Sequence, residues 1–211
     1  PTNPGTWESR DWIVSSNLPV DRAGNGIFGA DPINGDCNTD LENGILRLES
    51  PIITLPNFAE GNFEMAFNHY VATEALWDGG NIKVQVDGGP WLIVPSFAFI
   101  ANPYNSTLNN TASGNDNPMK GEPAFTGTDE GSNISSWGTS VINLSSFSIE
   151  PLANSTVKFR FEMGTDGCNG IDGWYIDEIM VYNCQYTLSL SDLQLNNIIK
   201  VYPNPSNTIF N

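Results

Sequence analysis

Apolar and polar residues alternate in many short stretches of this chain, and no stretch holds the three-four spacing of a helix. Two-residue periodicity with β-branched and aromatic residues predicts strands over 11–16, 44–49, 52–55, 62–72, 81–86, 91–95, 139–144, 156–163 and 174–183. The clearest hairpin runs over 81–94, where Ile82, Val84 and Val86 alternate with Lys83 and Gln85 before an Asp87-Gly88-Gly89 turn. With 20 glycines and 14 prolines breaking the chain into short pieces, long helices are excluded. The pattern predicts an all-β fold, an antiparallel β-sandwich of jelly-roll type.

The segment 100–133 carries no strand pattern, and a connection this long in a compact domain is usually functional, metal-tied or packed on its own anchors. Tyr104, Met119 and Phe125 are the anchors it offers. Beyond Cys184 the texture changes to a linker over 185–200 and then to Val201-Tyr202-Pro203-Asn204-Pro205. Residues 1–184 therefore form one domain, with the start of another module over 201–211.

A length of 211 residues with 39% hydrophobic residues can bury one good core. Acids outnumber bases 24 to 8, giving a formal net charge of −16 and a pI near 4.1. The basic residues are scattered singly, which excludes a phosphate-backbone partner, since binding nucleic acid requires clustered cations that release counterions. No apolar run approaches the roughly 20 residues of a membrane span. An Asn/Ser/Thr-rich, Lys-poor surface points to secretion or display at the cell surface.

The most informative segment is 163–182, where a loop rich in glycine and acids runs into a strand that carries Asp177 and Glu178 among aromatics. Carboxylates in apolar surroundings are costly unless a cation or donors compensate them, and an oxygen-rich set suits a hard cation such as calcium. Asp78, Asp166, Asp172 and Asp177 are the candidate ligands, with Glu74 a lesser one. The competing reading of Asp78 and Asp166 is that they only initiate turns. Asp177 and Glu178, adjacent in a strand, are expected on opposite faces and so cannot act as the carboxylate pair of a glycosidase.

His69 is the only histidine, and no hydrolase signature accompanies it, so it reads as a hydrogen-bonded structural residue. Trp77, Trp91 and Tyr104 are the aromatic side chains to examine for ligand stacking. The three cysteines are either one disulfide with a spare thiol or three free thiols; Cys168 and Cys184 bracket the last strand beyond bridging distance, so the expected disulfide is Cys37–Cys168, with Cys184 the spare.

Two resemblances add to this reading. The tail from Val201 to Asn207 resembles the opening of the C-terminal sorting domain of type IX secretion, which implies export to a Bacteroidetes-like cell surface. The body resembles the MAM-like jelly-roll modules of bacterial secreted peptidases, including the immune inhibitor A kind. Phe67-Asn68-His69-Tyr70, Trp77-Asp78-Gly79-Gly80, Pro123-Ala124-Phe125-Thr126-Gly127 and Gly173-Trp174-Tyr175-Ile176-Asp177-Glu178 carry the likeness, together with Leu48-Glu49-Ser50-Pro51 and Asn102-Pro103-Tyr104-Asn105. That family commonly has two aspartates where this chain has Asp177-Glu178. The resemblance implies a noncatalytic accessory module joined to a catalytic domain such as a metallopeptidase in the same chain, and the acid-rich set read above adds structural calcium. Its partner would be an extracellular protein or polysaccharide. The alternative function is a carbohydrate-binding module.

Overall fold

The computed structural model describes residues 10–32, 43–57, 62–146 and 152–184. The fold is all-β. A six-stranded antiparallel sheet has the order β1 (Ile13–Ser15), β2 (Gly26–Ala30), β13 (Gly173–Cys184), β5 (Asn62–Ala72), β11 (Gly138–Asn143) and β8 (Phe99–Ala101). A second sheet has the order β3 (Gly44–Glu49), β12 (Thr156–Thr165), β6 (Gly79–Val86) and β7 (Leu92–Ile93), with β4 (Ile53–Thr54) also paired to β12. A short ladder joins β9 (Ser106–Thr107) to β10 (Pro123–Ala124) within the long connection.

The two large sheets pack face to face over an aromatic core in which Phe67, Phe159 and Trp174 are fully buried. Rings meet edge-on or tilted, as aromatic quadrupoles prefer: Phe67 and Phe161 have centroids 5.4 Å apart, and Phe161 and Trp174 5.8 Å. Trp174 fits only because Gly80 faces it, since a Cβ there would collide with the indole ring. The expected hairpin is present, with Lys83 opposite Ile93 and Val84 opposite Leu92, and Asp87 and Gly88 turn at positive φ. The long connection is packed rather than loose, with Met119, Phe125 and Tyr104 all buried.

Strand β2 has no clear alternation in the sequence, because two of its five residues are glycines. The structure explains them: a Cβ on Gly29 would stand 3.0 Å from the ring of Trp12, and one on Gly26 3.0 Å from Leu18. β2 pairs with β13 from Gly173 opposite Ala30 to Ile176 opposite Ile27, which brings Asp31 to the end of the sandwich where the 166–172 loop enters β13.

Cys168 forms a disulfide. Cys184 closes β13 at the far end, about 36 Å from its start at the usual rise per residue. The expected partner, Cys37, lies outside the described residues, as do the linker 185–200 and the segment 201–211. No helix among the described residues is long and apolar enough to cross a membrane.

Candidate metal centre

One end of the sandwich gathers four acids from three chain segments. Glu74 and Asp78 stand on the turn between β5 and β6, Asp166 follows β12, and Asp31 follows β2. Glu74, Asp78 and Asp166 each offer an oxygen within 4.8 Å of the others, an arrangement that could hold a metal ion. Asp31, Asp78 and Asp166 are each at most 3% exposed. The ion pairs of Arg22, Arg47, Lys83, Lys158 and Arg160 all lie elsewhere.

Backbone amides position these carboxylates without neutralising them. Asp31 Oδ2 accepts from the amides of Glu74 and Ile171, both at 3.1 Å. Asp78 Oδ1 accepts from the Asp166 amide at 2.6 Å, and Asp166 Oδ1 from the Cys168 amide at 2.9 Å. The Asp78 backbone carbonyl takes the hydroxyls of Thr73 at 3.0 Å and Thr126 at 2.5 Å, locking the turn. The loop 166–172 lies tight on Asp31 and Pro32, whose carbonyl oxygens leave no room for a side chain at Gly170.

The electrostatics follow from this crowding. Burial pushes the Asp78 carboxyl up to about 10, and the charges of Asp31 and Asp166 add to the effect. Burial raises Asp31 to about 6 against the lowering effect of its hydrogen bonds. Glu74 is raised by burial first and then by Asp166 and Asp31, and Asp166 is raised chiefly by burial. A proton shared between Asp31 and Asp78 relieves the repulsion between them. With both ionised, Asp31 Oδ1 is buried without a partner, and so is Glu74 Oε2. Unpaired buried oxygens of this kind fit a bound cation, and an all-oxygen donor set fits a hard one.

Two of the expected ligands stand elsewhere. Asp172 accepts from the hydroxyl of Tyr175 at 3.2 Å, and its backbone carbonyl takes the Asp31 amide, so it positions a cluster acid without joining the cluster. Asp177 lies four residues down β13, about 13 Å along the strand, and pairs with Arg22 at 3.1 Å. The expectation of opposite faces for Asp177 and Glu178 is also corrected, because the same Arg22 reaches Glu178 at 3.2 Å. A bulge in β13 with Glu178 at φ +50° breaks the alternation there. Asp31 went unrecognised because it lies far upstream in an unremarkable Asp-Pro pair, and no local signal marks it.

The three aromatic candidates share no surface. Tyr104 is a core residue whose hydroxyl bonds the backbone N–H and C=O of Ile82 at 3.1 and 3.3 Å. Trp77 precedes β6 and Trp91 follows it, so about 26 Å of strand separates them. One face of Trp91 is taken by the Arg160 guanidinium at 3.9 Å.

His69 is buried, and burial depresses it to about 3, so the ring is neutral. Its Nδ1 accepts from the Trp174 indole N–H at 3.2 Å, which puts the ring proton on Nε2. Nε2 therefore donates to Ser140 Oγ at 2.9 Å and cannot take its proton, while Ser140 donates to the Asn102 carbonyl at 2.7 Å. This Ser–His pair is a structural chain of hydrogen bonds, not a nucleophile with its base.

Among known proteins, no family model and no curated sequence matches this chain.

Proposed function

We propose that this chain is a calcium-stabilised, noncatalytic accessory module of a secreted or cell-surface enzyme, a metallopeptidase by its resemblance, and that it serves targeting or adhesion. One observation carries the reading: buried Asp31, Asp78 and Asp166 converge with half-buried Glu74, while the ion pairs of Arg22, Arg47, Lys83, Lys158 and Arg160 all go to other acids. Calcium suits the set because it tolerates irregular oxygen coordination, whereas magnesium demands near-octahedral geometry. Glu74, Asp78 and Asp166 would hold it, with Asp31 beside them. The ion would tie the β5–β6 turn, the 166–172 loop and the end of β2 into one rigid tip.

Calorimetric titration of the chelator-treated chain with calcium tests this. One site is expected, and calcium at a hundredfold excess over Kd adds about 2.7 kcal/mol. For a domain of this size that raises Tm by roughly 5–10 °C. A flat titration together with identical melting curves in calcium and in chelator would remove the metal from the reading.

A further inference from the structure

A second candidate site is lined by none of the four acids. A cavity of about 350 Å³, within the size range of small-molecule sites, opens beside His69 on β5 and Gly138 on β11. The segment 126–129, Ser136 and Asn102 wall it.

Its chemistry is neutral and hydroxyl-rich. No Lys or Arg lines it, and Asp129 is its one carboxylate. In a chain of net charge −16, such a cavity repels phosphorylated, sulfated or carboxylated ligands. Val71 and Phe125 supply an apolar patch against which C–H groups can lie.

The walls are held in place before any ligand arrives. The Asn105 side chain clamps the Thr126 backbone from both sides, donating to its carbonyl at 2.8 Å and accepting from its amide at 3.0 Å. Thr128 Oγ1 donates to the Ser132 carbonyl at 2.7 Å, and the Ser135 amide donates to the Tyr70 hydroxyl at 2.8 Å. Asp129 Oδ1 is steadied by the hydroxyls of Ser135 and Ser136 at 3.5 and 3.4 Å. Preorganisation of this kind lowers the entropic cost of binding.

The fixed tautomer of His69 assigns the remaining polar group. With the proton on Nε2, the Asn102 amide 3.1 Å away must present its oxygen to the ring. Asn102 also lines the cavity, so its amide stands there beside the Asp129 acceptor.

We propose that this cavity binds a neutral sugar: one hexose unit, free or at the end of an uncharged polysaccharide. Asp129 accepts from adjacent ring hydroxyls, Asn102 donates to a third oxygen, and Val71 covers the less polar ring face.

The test is titration calorimetry with saturation-transfer NMR on the full chain. The probes are methyl glucoside, methyl mannoside, methyl galactoside and cellobiose at millimolar concentration, with glucuronate and choline as charged counterparts. At least one neutral probe is expected to bind and the charged ones not. Asp129→Ala and Ser136→Trp are expected to weaken binding by at least ~10-fold; both side chains are exposed, and a melting curve of each variant checks that the fold survives the loss of the Ser135 and Ser136 hydrogen bonds to Asp129. Running each titration in calcium and in chelator, on protein shown to be folded, keeps a failure of the metal reading distinct from a failure here. Absence of binding by every neutral probe overturns the proposal, as does affinity unchanged in both variants or binding of glucuronate or choline instead.

Discussion

Glu162 and Asp78 are both about 1% exposed, yet their surroundings drive them in opposite directions. Glu162 lies on β12 where the protein supplies its own cations: Lys83 at 2.7 Å, Arg47 at 2.9 Å and Arg160 at 3.4 Å. Burial pushes its carboxyl up, but Lys83 and Arg47 more than offset this and hold it below the usual value. Asp78 is buried at least as deeply among three other acids, and it is pushed far up. Half of the chain's eight bases (Arg47, Lys83, Lys158 and Arg160) serve the sheet made by β3, β6 and β12, pairing with Glu49, Glu122 and Glu162. Arg22 pairs with Asp177 and Glu178, so none of these five serves the acid end. A buried carboxylate that the fold compensates internally is structural, and one left uncompensated calls for a charge from outside.

The sharpest way to test this contrast is to remove compensation where it exists. Lys83→Ala is expected to lower stability by about 3 kcal/mol, because it strips a buried carboxylate of its shortest ion pair. Chemical denaturation should show that loss equally in calcium and in chelator. A calcium-dependent loss would mean that the two regions are not independent.

Asp78→Asn probes the other side and should change sign with the ion. In chelator it relieves repulsion and is expected to stabilise by on the order of 1 kcal/mol. In calcium it removes a ligand and is expected to abolish the rise in Tm. A variant less stable than the parent in both conditions would break the comparison.

The gentlest test is pH. The folded-state values of Asp31 and Asp78 lie above the ordinary 3.8, at about 6 and about 10. In the metal-free protein the folded state therefore holds more protons than the unfolded state between those values. The contribution of these two acids to stability should be greatest below 3.8, fall as pH rises through about 6, and continue falling toward about 10. Melting curves in chelator at about pH 5 and about pH 8 should show the decline, and calcium should flatten it. A metal-free protein more stable at the higher pH would contradict the assignment.

Much of the β framework was legible locally. β5, β12, β13 and the β6–β7 hairpin follow from two-residue alternation, because side chains on a strand must face alternately inward and outward. β2 was not, since its glycines are present to admit Trp12 and Leu18, and that requirement arises only once the partners are packed. At the acid end, Asp78 and Asp166 were visible because each stands beside glycine in an acidic loop. Asp177 looked like their companion because a bulge cannot be seen in the alternation it interrupts.

The sequence by itself determined the all-β class, the hairpin, the isolation of the single histidine and the strong excess of acid. These depend on neighbours in the chain or on totals. The tertiary structure alone decided that Asp31 joins Glu74, Asp78 and Asp166, that Asp177 belongs to Arg22, and that His69 keeps its proton on Nε2. Each of these depends on which strands lie side by side, and pairing between residues far apart in the chain is set by the packing of the whole core.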